Sequence, residues 1–369
     1  MRSFPLSFLV PCLIASAEAA SMEPGTTWPP LMMAAANESP GLVSARWSEA
    51  TIDASGQMGQ HVSLALDREG RAHLAYYEFV GPRRQLKHAR WTGDGWHTET
   101  VDASGDVGGA GSLALDAQGR PWITYFDFAH QSLKLARYSG SSWRVEIVDG
   151  EEAVGLDSSL AFDASGAPHV AYYDLANRAL KHAQRAGATW KVETVDALGD
   201  VGIETSIAVD ASGRVHIAYL ERLSRRVRYA HLTTAGWERV TVDTSGNAAG
   251  PSLALDAKGR AHITWLDRRR DVLKHAWWDA RLWTTEPVLQ VGAGLRTSLA
   301  IDPGGGLHVG VQEPGGALKY LQRTAGAWTS VNVEGVREAA WGVALALSGT
   351  TPLVCYSDLA LRGVRCARP

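Results

Sequence analysis

Histidine side chains recur along this chain at spacings that could place them in pairs. One set is His73, His169, His216, His262 and His308, and a second set is His88, His182 and His275. In three places a member of each set falls on the same face of neighbouring predicted strands, and two imidazoles could begin a metal site. A half-buried histidine with one hydrogen bond is the commoner case, so we expect no metal ion and no cofactor.

Acidic and basic residues recur along the chain at similar spacings. The acids are Glu78, Asp127, Asp174, Glu221, Asp267, Glu313 and Asp358, and the bases are Lys87, Lys134, Lys181, Arg228, Lys274, Lys319 and Arg365. Because opposite charges on adjacent strands attract across a sheet, we expect an ion pair in each repeat, with Lys181 opposite Tyr172 and diagonal to Asp174. The alternative is a ring of free acidic groups available to a cation.

The segments that carry these residues are copies of one unit. The motif Ser-Leu-Ala-Leu-Asp or a close variant begins at Ser63, Ser112, Ser159, Ser206, Ser252 and Ser298, and a degraded copy is placed at Gly342. Successive copies are 49, 47, 47, 46, 46 and 44 residues apart. Each unit contains four short runs rich in Val, Ile, Tyr and Trp, divided by turn residues, which is typical of strands joined by hairpins. This period with four strands per unit predicts a β-propeller.

The count of units is seven, with an offset between the chain ends. The last unit has no Trp-led fourth strand, whereas a matching segment with Trp47 precedes the first motif. We therefore predict an all-β, seven-bladed β-propeller of four-stranded antiparallel blades over residues 46–369, closed by an N-terminal strand that completes the last blade. The motif Asp leads into a tight turn with Gly three residues later, so we expect a structural role for it.

The two cysteines of the last unit should form a disulfide. Aligned on the third unit, Cys355 falls at Ala171 and Cys366 falls at His182, which should face each other on adjacent strands. Directly opposed β-carbons lie close to disulfide distance. A Cys355–Cys366 disulfide implies an oxidising compartment.

The N-terminus resembles a secretory signal. Arg2 precedes an apolar core, and an Ala-x-Ala site ends at Ala19, so we predict a signal peptide over 1–19, a disordered lead over 20–45, and a secreted, periplasmic or cell-surface location. The net charge of −3 offers no basic excess for nucleic acid, and no apolar stretch is long enough to span a membrane. We expect a monomer.

Loops that differ between units are where binding would be built. Arginines cluster in the loops after the second strands of units four and five, and a further arginine and an aromatic residue lie in the loop before the last unit. Because arginine forks suit carboxylate, sulfate and phosphate, the predicted ligand-binding residues are Arg222, Arg225, Arg226, Arg268, Arg269, Arg270, Arg337 and Trp341. The alternative is that these loops are simply solvated.

The repeat resembles a broad group of secreted bacterial seven-bladed propellers, including lectin-like and Asp-box-like proteins, although the Asp-to-Gly spacing here differs from an Asp box. That resemblance implies the architecture and leaves the function open. No nucleophile elbow, metalloprotease pair or phosphate loop is present in the sequence. We expect a non-catalytic module that binds a glycan, which could be anionic, or an extracellular protein. The alternatives are a polysaccharide glycosidase or lyase at the channel mouth, and a docking scaffold.

Overall fold

The fold was analysed in a computed structural model. It describes residues 47–53, 60–80, 83–279, 281–291, 294, 296–313, 316–333, 339–358 and 362–369. The predicted signal peptide and lead, together with Arg337, lie outside these ranges. The described residues form β-strands joined by turns, and none of them forms a helix that could cross a membrane.

Twenty-eight strands follow one another in chain order. The first fourteen are β1 (Ser48–Asp53), β2 (Gln60–Leu66), β3 (Ala72–Val80), β4 (Arg83–Trp91), β5 (Trp96–Asp102), β6 (Val107–Leu115), β7 (Pro121–Asp127), β8 (Ser132–Tyr138), β9 (Trp143–Asp149), β10 (Val154–Phe162), β11 (Pro168–Asp174), β12 (Ala179–Ala186), β13 (Thr189–Asp196) and β14 (Val201–Val209). The others are β15 (Val215–Glu221), β16 (Val227–Thr233), β17 (Gly236–Asp243), β18 (Ala248–Leu255), β19 (Ala261–Asp267), β20 (Val272–Trp278), β21 (Trp283–Gln290), β22 (Thr297–Ile301), β23 (Leu307–Gln312), β24 (Leu318–Thr324), β25 (Ala327–Asn332), β26 (Ala339–Ser348), β27 (Thr351–Asp358) and β28 (Gly363–Arg368).

These strands form seven antiparallel sheets of four, which confirms the predicted propeller. Blade 1 is β2 to β5, blades 2 to 6 each take the next four strands, and blade 7 combines β26 to β28 with β1. The first strand of every blade contacts the first strands of both neighbouring blades, so β2, β6, β10, β14, β18, β22 and β26 line a central channel. The second-to-third-strand loops and the blade-to-blade loops lie on one side, here the loop-bearing rim, and the tight turns lie on the other, the turn-bearing rim.

Blade 7 is closed by the N-terminal strand, as predicted. Its sheet order is β1-β28-β27-β26, with Ser48 opposite Arg368. Cys355 on β27 lies directly opposite Cys366 on β28, and the two form the predicted disulfide. The blade that joins the two ends of the chain is therefore covalently cross-linked between its second and third strands.

A serine hydrogen bond joins neighbouring blades beside the channel. The Ser63 hydroxyl accepts the backbone N–H of Leu113 in blade 2 at 2.9 Å, and the same bond recurs at every joint up to Ser298 and Leu345. The intervening bonds run from Leu160, Ile207, Leu253 and Leu299 to Ser112, Ser159, Ser206 and Ser252. The motif serine is thus conserved across six blades as an inter-blade link, a role that sequence reasoning did not assign.

The seventh copy of the motif is shifted from its predicted position. Ala344, opposite Cys355, occupies the place that Ser159 takes opposite Ala171, so the copy begins at Ala344 rather than Gly342. Its turn is also shorter, because Ser348 pairs directly with Thr351. Gly349 is therefore not equivalent to Gly70, and blade 7 has an alanine where the other blades have the linking serine.

Tyrosines make a second link between blades. The Tyr125 hydroxyl donates to Asp102 at the end of the preceding blade's outer strand (2.6 Å), and Tyr172 bonds Asp149 in the same way (2.6 Å). Tyr76 bonds Asp53 of the closing strand at 2.5 Å, which ties blade 1 to blade 7. Apolar side chains fill the space between the sheets, so each blade buries its faces against its neighbours.

Candidate functional site

The repeated acids and bases pair within the blades. In blade 3, Lys181 Nζ lies 3.1 Å from Asp174 and 3.6 Å from Asp149, with Lys181 opposite Tyr172 as predicted. Burial alone would raise the pKa of Asp174, but hydrogen bonds from Asn177 and Lys181 lower it below the usual value. Equivalent pairs form in blades 1, 2, 5, 6 and 7. In these blades the acids are not free for a cation.

Blade 4 departs from this pattern. Arg228 lies 3.2 Å from Asp196 on the outer strand of blade 3 rather than beside Glu221. Glu221 instead receives the Ser224 hydroxyl and lies 4.0 Å from Arg226. The base of this blade therefore links two blades.

The paired histidines are buried inside three blades. His169 Nδ1 lies 3.0 Å from His182 Nε2, and His182 Nδ1 lies 3.0 Å from Glu193 on the outer strand. Asp163 lies 3.5 Å from the other side of His169. Blades 1 and 5 repeat the arrangement through His73 with His88 and His262 with His275. The turn Asp lies farther from the first histidine in those two blades, at 4.0 Å in blade 1 and 3.8 Å in blade 5, so the hydrogen-bonded part that all three blades share runs from the first histidine to the outer Glu.

Burial holds His73, His216 and His262 in the neutral form. Burial and the adjacent His88 lower the pKa of His73 to about 4, and burial with His275 does the same for His262. His216 also has a pKa of about 4 because burial outweighs the opposing effect of Asp210. Within the described ranges, no three His, Cys, Asp or Glu side chains are grouped to hold a metal ion.

The motif aspartates organise their turns. Asp67 Oδ1 accepts the backbone N–H groups of Glu69 and Arg71, and the Gly70 N–H donates to the Asp67 carbonyl. Gly70 has a φ of 75°, in the left-handed region that favours glycine. The turn role predicted for this Asp is therefore present in the structure.

Most of the arginines predicted to bind a ligand are in ion pairs. Arg222 lies 3.5 Å from Asp200, Arg226 lies 4.0 Å from Glu221, and Arg270 lies 2.9 Å from Asp267. Arg268 and Arg269 are exposed, and no side-chain partner for either is found among the described residues. The first three balance local acids, whereas Arg268 and Arg269 present their guanidinium groups to solvent.

Arg225 points toward the channel instead. Its Nη2 donates to Glu204 at 2.6 Å and its Nε donates to the Ala248 carbonyl at 2.9 Å. It therefore connects the loop of blade 4 to the start of blade 5. Of the two remaining predicted ligand residues, Arg337 lies outside the described residues, and Trp341 lies on β26 with a side chain that is not described.

A pocket lies where the channel opens on the loop-bearing rim. Its volume is about 130 Å³, and residues on or just before the first strands of blades 1, 2, 3, 4, 6 and 7 line it. Only the axis of the ring can be lined by so many blades. We call this pocket the channel mouth.

The channel mouth carries unlike side chains at one repeated position. Two residues before the motif serine, or before Ala344 in blade 7, stand His61, Ala110, Asp157, Glu204, Gly250, Arg296 and Gly342. His61, Asp157 and Glu204 have φ values of 54°, 52° and 51°. Left-handed backbone is costly for residues with a β-carbon, so the mouth holds three polar residues in a strained conformation.

The acidic side of the mouth is held rigidly. Glu204 accepts Arg225 through one oxygen and the Gly250 N–H through the other, the latter at 2.7 Å. Asp157 Oδ2 accepts the Glu204 N–H at 3.0 Å. Both carboxylate oxygens of Glu204 thus accept hydrogen bonds from residues of the channel wall.

The basic side of the mouth is less constrained. Arg296 is half-buried, and no hydrogen-bond or ion-pair partner is found for its guanidinium among the described residues. Burial first, and then the positive charge of Arg296, lower the pKa of His61 to about 3, so this imidazole is neutral at pH 7. The mouth therefore offers a cationic donor and a neutral imidazole opposite a fixed acidic wall.

Sequence reasoning did not find this site. His61 and Arg296 belong to the first and sixth blades, and only closure of the ring brings them together. The available signal was that the position two before each motif serine varies in charge while the motif itself is nearly constant.

Comparisons with known proteins place the fold. No protein-family model matches the chain, and no curated protein matches its sequence. Among solved structures, an ulvan lyase bound to a glucuronate–sulfated rhamnose oligosaccharide is 13% identical, with a TM-score of 0.62 and coverage of 86% of this chain and 95% of the lyase. AofleA from Arthrobotrys oligospora is 15% identical, with a TM-score of 0.54, covering 83% of this chain and 94% of AofleA.

The six-bladed fucose-recognising lectin of Aleuria aurantia is 16% identical, with a TM-score of 0.53, covering 76% of this chain and 96% of the lectin. At these identities the similarities concern the fold alone. The chain is a seven-bladed β-propeller whose structural neighbours include both lectins and polysaccharide lyases.

Proposed function

We propose that this protein is a glycan-binding propeller that recognises an acidic glycan at the channel mouth, without catalysing a reaction. The observation that carries the proposal is Arg296, a guanidinium that lines the mouth and has no partner among the described residues. A planar guanidinium binds carboxylate or sulfate through two parallel hydrogen bonds. Sugar hydroxyls would meet His61 and the Asp157 side of the pocket.

The small volume of the channel mouth limits the size of the ligand that can bind there. A volume of about 130 Å³ is below the usual range of ligand pockets, which starts near 300 Å³. The mouth therefore takes one charged sugar unit, and the remainder of the glycan lies across the loop-bearing rim. Arg268 and Arg269 of blade 5, next to the blade that supplies Arg296, provide further contacts for its acidic groups.

The electrostatics of the mouth favour binding over catalysis. A general base works best when its pKa lies near the working pH, and the pKa of about 3 makes His61 a weak proton acceptor. Glu204 already accepts two hydrogen bonds from the protein. Recognition uses a donor and a neutral ring without requiring proton transfer.

The proposal includes a location outside the cytoplasm, reached through the signal peptide over 1–19. The support is the charged, apolar and Ala-x-Ala order of that segment together with the disulfide of blade 7, since disulfides persist in oxidising compartments.

A glycan array probed with the purified protein at low and high salt tests the function. We expect binding to glycans carrying uronate or sulfate, weakened by salt because exposed charges are screened. Binding confined to neutral glycans, or none to any glycan, would contradict the proposal and move attention to a protein partner or a scaffold role.

A second candidate is a polysaccharide lyase, favoured by the proximity of His61 and Arg296 in the mouth. In that reaction Arg296 would neutralise the uronate carboxylate and His61 would take the C5 proton. The electron pair would form the C4=C5 double bond as the C4–O bond breaks, and the leaving oxygen would take a proton from water.

The ultraviolet absorbance of the unsaturated uronate separates the two functions. Incubation of each bound uronic polysaccharide with the protein and with His61→Ala should give no absorbance change if the protein only binds. An increase with the wild type that is lost in His61→Ala would establish the lyase and overturn the binding proposal.

A further inference from the structure

A larger cleft lies between blades 1 and 2 on the turn-bearing rim, away from the channel mouth. Its volume is about 350 Å³, within the usual range of ligand pockets. Two aromatic side chains, Trp91 and Tyr138, contribute to its walls, and three arginines line it: Arg71, Arg90 and Arg120. The cleft thus combines apolar ring surface with several hydrogen-bond donors.

Two of the arginines are fixed by their own turns. Arg71 Nε donates to Asp67 at 2.6 Å and its Nη2 donates to Glu69 at 3.0 Å. Arg120 Nε donates to Asp116 at 2.7 Å and its Nη2 donates to Gln118 at 3.1 Å. Both guanidinium groups are held in place, and Nη1 of each has no partner among the described residues.

The side chain of the third arginine is exposed to solvent. Arg90 lies opposite His73 at the end of β4 and is exposed, with no hydrogen bond or ion pair to any described residue. Because Asp67, Glu69 and Asp116 offset three guanidinium charges, the cleft is close to neutral overall. It presents donors and acceptors together rather than an excess of positive charge.

The side chain at the position of Arg90 differs in type or in surroundings from blade to blade in the part of the chain that the structure describes. At the position of Arg90, blades 2 to 7 carry Arg137, Gln184, His231, Trp277, Gln322 and Arg368. Of the two arginines in this set, Arg137 lies 3.9 Å from Glu146 and Arg368 is buried. The cleft between blades 6 and 7 is of similar size, about 300 Å³, but it is lined by one arginine, Arg323, with Asp302, Gln322, glycines and small side chains, and by no aromatic ring. The blade 1–2 cleft is therefore a local departure from the repeat.

We propose that the blade 1–2 cleft is a second binding site, for a neutral saccharide. Fixed guanidinium donors and the Glu69 and Gln118 acceptors match a set of sugar hydroxyls, and aromatic rings suit the apolar face of a pyranose. An anion is disfavoured because the carboxylates offset the arginines. With the channel mouth on the opposite rim, one molecule could hold two glycans at once.

Saturation-transfer NMR with methyl glycosides of glucose, galactose and mannose, followed by titration calorimetry of those that bind, tests the site. Arg90→Ala removes an exposed side chain and should weaken binding about tenfold, the effect of losing one good charge-assisted hydrogen bond. The matched control is Gln322→Ala, at the same position of blade 6, which should leave the dissociation constant unchanged.

The proposals for the two sites can be tested independently of each other. Arg296→Ala should leave methyl-glycoside binding intact, and Arg90→Ala should leave acidic-glycan binding intact. The absence of saturation transfer to every methyl glycoside would overturn this inference, as would an Arg90→Ala affinity within twofold of the wild type. Competition by inorganic sulfate at the cleft would also contradict it, because an anion site is then indicated.

Discussion

The blade interiors and the channel mouth use the same residue types in opposite ways. Inside the blades, Lys181 lies among three carboxylates and His169 is bonded on both sides. At the mouth, Arg296 has no partner among the described residues, and His61 is influenced by that arginine alone among charged groups. Charged side chains that have partners hold the blades together, whereas charged side chains without partners are left to bind a ligand.

The difference follows from repetition. A position that recurs in seven blades meets the same neighbours seven times, so selection for a stable blade supplies it with partners. The residues two before the motif serine lie beside the channel axis, and their charge varies from blade to blade. Changes inside blades should therefore cost stability without affecting binding, and changes at the mouth should do the reverse.

Acid should produce the largest loss of stability, through the blade histidines. His73, His216 and His262 have pKa values of about 4 in the folded protein, against about 6.5 when unfolded. Between pH 6.5 and 4 the unfolded chain binds more protons, so stability is full above that window and falls as pH drops through it. Urea unfolding at pH 6 and pH 5 should differ by about 3 kcal/mol from these three residues.

One variant sharpens the acid prediction. His262→Gln should reduce the pH dependence, because it removes an imidazole whose pKa is held at about 4 in the folded protein. A stability that is flat from pH 7 to pH 5 would show that the blade histidines are not held neutral.

Removal of a lysine inside a blade should produce the next largest loss of stability. Lys181→Met keeps the aliphatic stem but leaves Asp174, whose side chain is fully buried, without its ammonium partner. We expect a loss of about 3 kcal/mol in the free energy of unfolding by urea, because an unpaired buried charge is costly. Lys191→Met, on an exposed outer strand, is the matched control, and equal stabilities of the two variants would refute the pairing argument.

Loss of the disulfide should cost slightly less. Cys355 and Cys366 are 11 residues apart, and a loop of this size contributes about 2–3 kcal/mol through the unfolded state. The double variant Cys355→Ala/Cys366→Ala should unfold at lower urea and still bind glycan. An unchanged urea midpoint would mean that β1 and β28 close the ring without help from the bond.

Substitution of the exposed arginines on the loop-bearing rim should have the smallest effect, and it should act on glycan binding. The double variant Arg268→Ser/Arg269→Ser should weaken acidic-glycan binding about threefold and reduce its salt dependence, since exposed charge contacts are weak and screened. Arg270→Ser, which removes an arginine already paired with Asp267, should change the affinity less. A larger effect from Arg270 than from the double variant would contradict the assignment of the free arginines.

Repetition also explains what could be predicted from the sequence. The blade count, the closing strand, the disulfide and the Lys181–Asp174 pair all depend on neighbours within one repeat, and aligning the copies reveals them. The Ser63–Leu113 bond joins two blades, so alignment shows that the serine matters without showing its partner. The left-handed φ of 55° at Arg225 recurs at Gln131, Arg178 and Asp271, but the partner of its side chain, Glu204, belongs to blade 4 alone, so alignment of the copies does not reveal the inward turn.

The channel mouth lay furthest from prediction because it is assembled from six blades. Its residues stand at one repeated position but differ in type from blade to blade, and Gly250 and Gly342 matter by providing no side chain. The backbone of Arg296 comes so close to Gly250 that a β-carbon there would lie 2.5 Å from its Cα. Such packing follows from the closed ring and not from any segment of the chain.

Titration calorimetry of an acidic oligosaccharide into the wild type, Arg296→Ala and Arg144→Ala tests the central claim most directly. Arg144 lies exposed on the outer strand of blade 2, so its removal matches the change in net charge without touching the mouth. We predict at least about tenfold weaker binding for Arg296→Ala, as expected for one bidentate charged contact, with Arg144→Ala and the urea midpoints unchanged. Equal affinities for all three proteins would show that the channel mouth is not the glycan site.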